Sequence, residues 1–165
     1  NRNFLLENKL QFPPLRVYED PIFLLCTLLK AKEYYAVPDV VYRYNGTHSN
    51  KRITLACTKD YLRGLIAELK LSKKKDLPEI HTLCCDRLMR EADFYAQRFL
   101  KTEDPELLAL LLEANAAVSP QLLKDLPEDG SVILPALRTI WHAGCRYLRW
   151  RDQRIIRTLC DVFVK

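Results

Sequence analysis

Side chains that could do chemistry are few and scattered in this sequence. The three histidines, His48, His81 and His142, stand far apart, and neither an HExxH motif nor a Ser/His/Asp set with flanking motifs occurs. The glycine-rich signatures GxGxxG and GxxxxGK[ST] are absent as well. His81 and His142 fall inside predicted helices, so we interpret them as structural or surface histidines. The informative residues are instead a set of short motifs near the N-terminus.

These motifs follow one another in a fixed order between residues 4 and 49. They are FLLENKLQFP at 4–13, the acidic pair Glu19-Asp20 followed by PIF, then YAVPD at 35–39, VYRY at 41–44 and the pair His48-Ser49. Together they resemble the C-terminal half of the catalytic domain of family 2 glycosyltransferases, the inverting type with a GT-A fold. The resemblance covers residues 1–49, less than a third of the chain. One departure is Val40, where the family has the first tyrosine of the last motif.

The resemblance implies a role for each motif. In that family the aspartate of the acidic pair is the general base, which takes the proton of the acceptor hydroxyl as its oxygen attacks the anomeric carbon of a nucleotide-activated sugar. Here that residue would be Asp20, with Glu19 orienting or contacting the acceptor. Arg43 would lie near the donor diphosphate, where a guanidinium neutralises charge on the leaving phosphate. His48 and Ser49 would also reach the donor phosphates.

The same residues have structural interpretations that the sequence leaves open. Asp20 directly precedes Pro21, and this order is typical of a helix N-cap followed by the first helical residue. Arg43 equally fits the edge of a strand. If these interpretations hold, the chain is a helical interaction module without catalysis, which is the alternative function.

The donor and metal site of the family has no counterpart here. Family members hold the sugar diphosphate and Mg²⁺ or Mn²⁺ through a DxD motif in an N-terminal nucleotide-binding half, and Asp-x-Asp does not occur in this sequence. We therefore expect the divalent cation in the full-length enzyme and no metal ligands in this chain. The sequence also starts without a methionine, so we expect the acceptor-side piece of a longer protein that is inactive by itself.

Two regions must position these residues, and the fold class they predict is mainly α with a short β element. Residues 1–50, rich in aromatics and prolines, form the acceptor-side segment of a GT-A-like catalytic domain if the resemblance holds. Residues 51–165 form a helical C-terminal region, because apolar residues recur there at helical spacing. In the first region we predict helices at 4–10 and at 21–32, with Asp20 as N-cap, and extended chain at 33–45.

The second region carries repeated helix start signals, in which a capping residue precedes a proline. We predict helices at 53–71, from Asp76 and Pro78 to about 100, from Asp104-Pro105 to about 116, at Ser119-Pro120, and from Pro135 to the end. Lys73, Lys74 and Lys75 are predicted to be a solvated loop, and residues 127–130 a turn.

Basic residues are concentrated at the C-terminus. Residues 138–165 contain seven basic and two acidic residues, and this segment accounts for the formal charge of +5. Arginines and aromatics on an amphipathic helix are typical of a surface that binds anionic membranes, and residues 138–157 are the candidate. The same apolar spacing fits packing on neighbouring helices, so both interpretations stay open. Because no stacking platform or helix-turn-helix pattern occurs, we predict no nucleic-acid partner.

The six cysteines indicate the compartment. They show no CxxC or Cys/His metal spacing and mostly fall on apolar helix faces, so we interpret them as reduced core thiols. No secretory signal opens the sequence, and its longest apolar stretch is far below the ~20 residues that span a bilayer. We predict a cytoplasmic protein, with peripheral contact at the inner membrane face if residues 138–157 bind lipid.

The predicted function follows from the resemblance. It is part of a glycosyltransferase that moves a sugar from a nucleotide-sugar donor to the hydroxyl of a saccharide or lipid-linked acceptor, in the synthesis of a surface polysaccharide or glycolipid.

Overall fold

A computed structural model describes residues 1–39, 43, 53–123 and 135–147, with side chains up to residue 143 in the last helix. The described part is mainly helical, as predicted. Its elements are α1 (Arg2–Glu7), α2 (Glu19–Leu28), α3 (Leu55–Lys75), α4 (Pro78–Arg90), α5 (Ala92–Thr102), α6 (Pro105–Ala117), a 3₁₀ helix (Pro120–Leu122) and α7 (Pro135–Tyr147).

The long helix α3 lies at the centre of the packing. It packs against α4 and α6, while α5 packs against α7 and α2 rests on α3 from outside. Helices α3 to α7 each contribute apolar side chains to one core, and the fully buried ones include Leu62, Leu65, Leu69, Leu88, Tyr95, Phe99, Leu107, Leu111, Leu137 and Ile140. In contrast, α1 and α2 contain no buried residue. The bundle from α3 to α7 therefore supplies a firm support on which the N-terminal segment lies.

Three of the predicted helix starts are present in the structure. Asp104 is the N-cap of α6, where its carboxylate accepts a hydrogen bond from the backbone N–H of Leu107 at 2.8 Å, and Pro105 is the first helical residue. The short helix at Ser119-Pro120 is also present. The helix at Pro135 begins as expected, and its predicted continuation beyond residue 147 lies outside the described residues, as does the predicted turn at 127–130.

Other predicted boundaries were wrong. Lys73, Lys74 and Lys75 form the exposed last turn of α3 rather than a loop, and lysines suit this position because the C-terminal end of a helix attracts positive charge. Asp76 ends α3 in the left-handed conformation (φ 54°) instead of capping α4, whose N-cap is Leu77. The helix predicted to run to residue 100 is broken at Glu91 into α4 and α5.

The predicted β element is not formed in the part that the structure describes. Residues 33–39 and Arg43 have irregular backbone, with Tyr34 and Tyr35 more than four-fifths exposed. Strand propensity reflects packing on a neighbouring strand, and these residues have no such neighbour among those described. Residues 40–42 and 44–45 of the predicted element lie outside the described residues.

A buried histidine joins α3, α4 and the turn before the 3₁₀ helix. The ring of His81 is fully buried, and its Nε2 accepts a hydrogen bond from the backbone N–H of Ser119 at 2.8 Å. Its Nδ1 therefore carries the proton and donates to Ser72 Oγ at 2.9 Å, while that hydroxyl donates to the Leu69 carbonyl. His81 is thus a structural histidine, as its position in a helix predicted.

The burial of His81 predicts an acid-sensitive stability. Burial lowers the pKa of His81, and Lys73 lowers it further, so the folded state prefers the neutral ring. As the pH falls below ~6.5 the unfolded chain binds a proton that the folded chain does not, and the free energy of unfolding decreases. Urea denaturation of His81→Gln between pH 7 and pH 5 should show a weaker decrease than the unsubstituted protein.

The matched control for this prediction is His142→Gln, because His142 is exposed on α7. That variant should keep the pH dependence of the unsubstituted protein. Equal pH dependence in His81→Gln and the unsubstituted protein would contradict the role given to His81.

Candidate functional site at the start of α2

The loop of residues 16–18 holds the start of α2 against α3. Asp60 of α3 accepts hydrogen bonds from the backbone N–H of Arg16 at 3.2 Å and from its guanidinium at 3.0 Å. Two turns further along α3, Glu68 accepts a hydrogen bond from the Tyr18 hydroxyl at 2.7 Å. Both carboxylates are buried. Because residues 60 and 68 lie on one face of a helix, the loop is fixed at two points along α3.

Gly64 lies between these two acids on the same face, and the ring of Tyr18 packs directly on it. A Cβ at residue 64 would come within 2.5 Å of Cδ1 of Tyr18, closer than atoms in proteins approach. The helix thus offers a docking stripe, defined here as Asp60, Gly64 and Glu68, in which two carboxylates flank a gap in the side-chain layer. Arg63 completes its polar end by donating to Asp60.

The surroundings of the docking stripe keep Asp60 ionised and the Tyr18 hydroxyl protonated, the states in which their hydrogen bonds form. Burial opposes ionisation of Asp60, but the hydrogen bonds from Arg16 and Arg63 outweigh burial and lower its pKa. Burial and the nearby Glu68 raise the pKa of Tyr18 far above its usual value, so its hydroxyl stays a donor. The Tyr18 hydroxyl in turn accepts a hydrogen bond from Arg87 of α4.

Tyr18 is strained where it enters α2. Its backbone is in the left-handed region (φ 69°), which a non-glycine residue occupies at a cost of about 1–2 kcal/mol. Two contacts of the Tyr18 side chain offset this cost. Its hydroxyl donates to the buried Glu68, and its ring makes an edge-to-face contact with Tyr61, with ring centroids 4.5 Å apart. This conformation makes Tyr18 the N-cap of α2, with no side-chain capping bond. The prediction that Asp20 is the N-cap is therefore wrong, because the tertiary contacts of Tyr18 begin the helix two residues earlier.

Glu19 and Asp20 are the first two residues of α2. Glu19 is half-buried and Asp20 is exposed, and neither carboxylate makes a hydrogen bond or ion pair with another described residue. Successive helical residues point about 100° apart, so the two carboxylates face different directions. Pro21 is tolerated as the third residue because the first N–H groups of a helix have no partner within it. The structure thus presents Asp20 to solvent two residues after the anchored Tyr18.

The other predicted site residues are not brought to this point by the described structure. Arg43 is exposed in irregular backbone and contacts neither Glu19 nor Asp20 through any hydrogen bond or ion pair between described residues. His48 and Ser49 lie outside the described residues. The roles of all three at donor phosphates stay predictions.

A cleft of about 700 Å³ lies beside the anchored loop, between it and helices α3 and α5. Its lining includes Glu91, the residue at the break between α4 and α5. The carboxylate of Glu91 accepts hydrogen bonds from the Tyr61 hydroxyl at 3.0 Å and from the Tyr95 hydroxyl. Burial raises the pKa of Tyr61 to about 12 and that of Tyr95 still further, so both hydroxyls remain donors. The break in the helix that the sequence analysis missed places this carboxylate in the cleft.

Sequence reasoning missed every anchor of this site, although one signal was present. Asp60, Gly64 and Glu68 are spaced four apart along a helix whose apolar positions include Leu65 and Leu69. Two acids and a glycine on a helix face that turns toward the core indicate a docking surface for another segment. No comparable pattern marks Tyr18.

The basic C-terminal segment is described only at its beginning. Leu137 and Ile140 of α7 are fully buried in the core, and Arg138 between them is exposed. The remaining arginines of residues 138–157 have side chains outside the described part, so membrane contact through this segment stays a prediction. Among the described helices, none is long and apolar enough to cross a membrane.

The described residues also include no group of three His, Cys, Asp or Glu side chains that could hold a metal ion. They offer no ligand set for the divalent cation that the resemblance implies.

The four cysteines whose side chains the structure describes are Cys26, Cys57, Cys84 and Cys85, and all are free thiols. Cys84 and Cys85 are buried, as expected for core thiols, and burial raises their pKa values to about 12 and about 11. Cys57 is half-buried in the cleft.

Comparison with known proteins finds no match for this chain. No protein-family model matches the sequence, and no match is found among curated proteins or among solved structures.

Proposed function

We propose that this chain is the acceptor-side part of a glycosyltransferase, with Asp20 as the general base. The observation that carries the proposal is the placement of Asp20, whose carboxylate is exposed and unbonded to the described residues, at the start of a helix held by Tyr18. A general base needs an open carboxylate on a fixed support, so that it can reach the proton of a bound hydroxyl. The FLLENKLQFP motif and the Glu19-Asp20 pair supply the family resemblance.

In this proposal Asp20 accepts the proton of the acceptor hydroxyl while the acceptor oxygen bonds to the anomeric carbon of the donor sugar. The bond between that carbon and the nucleotide diphosphate breaks, and the nucleoside diphosphate leaves with the electron pair. Glu19, pointing about 100° away from Asp20, contacts the acceptor rather than its reacting proton. The expected cation belongs with the donor, and no step at Asp20 requires it.

The apolar surface of the N-terminal segment supports a larger catalytic domain. Leu24 and Leu28 of α2 are about half exposed, and Phe12 stacks on Phe23 with centroids 4.0 Å apart although Phe12 is also about half exposed. Contiguous exposed apolar side chains mark a surface that another part of a protein covers. The donor-binding half implied by the resemblance is the expected cover.

Sugar transfer by the complete enzyme, with and without Asp20→Asn, tests the proposal. Labelled nucleotide sugars serve as donors, and incorporation of label into acceptor is measured. Transfer that does not depend on Asp20 would contradict its role as the general base, and the absence of any transfer would favour the alternative, a helical interaction module without catalysis.

A further prediction concerns the chain by itself. Because its sequence contains no DxD motif and its described residues include no ligand set for a divalent cation, the 165-residue chain should show no binding of UDP- or GDP-sugars in calorimetry with Mg²⁺ or Mn²⁺ at millimolar concentration. Micromolar affinity would show that the donor site lies within this chain. The complete enzyme, titrated under the same conditions, is the positive control.

A further inference from the structure

The cleft beside Tyr18 offers a ligand mainly apolar contact. Its walls include Val17, Ile53, Cys57, Tyr61 and Phe94, of which Ile53 and Phe94 are 57% and 40% exposed. Arg98 donates a hydrogen bond to the carbonyl of Ile53, which ties the segment before α3 to α5. The cleft is therefore shaped by residues from three parts of the chain, and its volume of about 700 Å³ lies within the range of small-molecule sites.

Except for the exposed guanidinium of Arg16, which bonds Asp60 through one nitrogen, the polar side chains that line the cleft are already bonded within the chain. Glu91 accepts hydrogen bonds from the hydroxyls of Tyr61 and Tyr95, and the Thr58 hydroxyl donates to the Thr54 carbonyl at 3.0 Å. A sugar ring entering this space would lose hydrogen bonds to water and find few replacements, whereas an alkyl chain would lose none. The chemistry of the cleft thus favours the apolar part of a ligand.

The position of the cleft connects it with the candidate base. Tyr18 forms part of its wall, and Asp20 follows two residues later at the start of α2. We propose that this cleft binds the alkyl chain of an amphiphilic acceptor, a hydroxyl-bearing sugar joined to a lipid chain, and thereby delivers the hydroxyl toward Asp20. This inference rests on the function proposed above, because it requires Asp20 to act on the acceptor.

Cys57 in the cleft provides a direct readout in the 165-residue chain. Octyl β-glucoside, kept below its micelle concentration, should slow alkylation of Cys57 by iodoacetamide about tenfold or more, as measured by peptide mass spectrometry. Cys26 on α2 is the internal control, because it is also half-buried but does not line the cleft. Hexyl β-glucoside should need about a tenfold higher concentration for half protection, since it lacks two methylenes.

A pair of variants locates the effect. Phe94→Ala should raise the half-protecting concentration of octyl β-glucoside about fivefold or more, because Phe94 lines the cleft. Leu83→Ala is the matched control, since Leu83 is a similarly exposed apolar residue on α4 outside the cleft, and it should leave protection unchanged.

Three outcomes would overturn the inference: equal protection by glucose, equal protection of Cys26, or no protection by octyl β-glucoside. Its failure is distinguishable from failure of the proposed function. If octyl β-glucoside does not protect Cys57 while Asp20→Asn abolishes transfer in the complete enzyme, the proposed function is supported and the assignment of the cleft is overturned. If protection occurs while Asp20→Asn transfers at the full rate, the acceptor role of the cleft is overturned together with the base.

Discussion

If Asp20 is the general base of the proposed glycosyltransferase, its replacement by asparagine should lower kcat for sugar transfer by about 10² or more in the complete enzyme. Asparagine keeps the size of the side chain and one acceptor oxygen, but it cannot take up the proton that the acceptor loses as the new bond forms. Donor affinity should remain nearly unchanged, because the base acts on the acceptor alone. The measurement is steady-state transfer from a labelled nucleotide sugar, together with donor binding by calorimetry.

Two further variants serve as comparisons for Asp20→Asn. Glu19→Gln should be milder and should raise KM for the acceptor more than it lowers kcat, because in the proposed function Glu19 contacts the acceptor without handling its proton. Asp93→Asn, which neutralises an exposed acid on α5, should retain full activity. Near-normal turnover of Asp20→Asn would reduce Asp20 to a residue of the first helical turn. Since Asp20 is exposed and bonded to no described residue, a loss of activity through misfolding is not expected.

The parts of the fold that the sequence predicted are those decided by neighbouring residues. The cap at Asp104 needs only the N–H of Leu107 three residues later, so its signal is complete within one turn. Asp20 and Asp76 carry similar local signals, yet neither caps the following helix. At the start of α2, the buried ring of Tyr18 outweighs the preference of Asp20 for the N-cap position, and the helix begins two residues earlier. Asp76 ends α3 instead of starting α4. Capping chemistry therefore predicts a helix start well only where no distant contact competes.

In the candidate site, too, the sequence predicted the features that depend on adjacent residues and missed those that depend on distant contacts. The sequence placed Glu19 and Asp20 together at the beginning of a helix, which the structure bears out, because adjacent residues cannot be separated by folding. The bonds from Arg16 to Asp60 and from Tyr18 to Glu68 join residues 44 and 50 positions apart. Which tyrosine reaches which acid depends on how helices pack, and a single sequence carries little information on that. The lining of the cleft was missed for the same reason, since Glu91 meets Tyr61 only after α4 folds back on α3.

Gly64→Ala should destabilise the protein by about 2 kcal/mol, opposite in sign to the usual effect of this substitution within a helix. Alanine ordinarily gains about 1 kcal/mol over glycine in a helix interior. At residue 64, however, the added Cβ would lie 2.5 Å from Cδ1 of Tyr18 and 3.1 Å from its Cβ. The ring cannot simply move away, because its hydroxyl is held by Glu68 and Arg87. Overpacking of this kind typically costs about 1–3 kcal/mol. Urea denaturation followed by circular dichroism measures the change.

Ala67→Gly calibrates helix propensity in the same helix, because Ala67 is exposed on α3 one turn further along. This variant should lose about 1 kcal/mol from backbone entropy alone. The decisive comparison is a double-mutant cycle with Tyr18→Gly, which removes the ring and suits the positive φ of residue 18. In that background Gly64→Ala should become stabilising by about 0.5–1 kcal/mol, since nothing remains for its Cβ to meet. If Gly64→Ala instead stabilises the unsubstituted protein, the ring of Tyr18 does not rest on α3, and the support assigned to Asp20 would be absent.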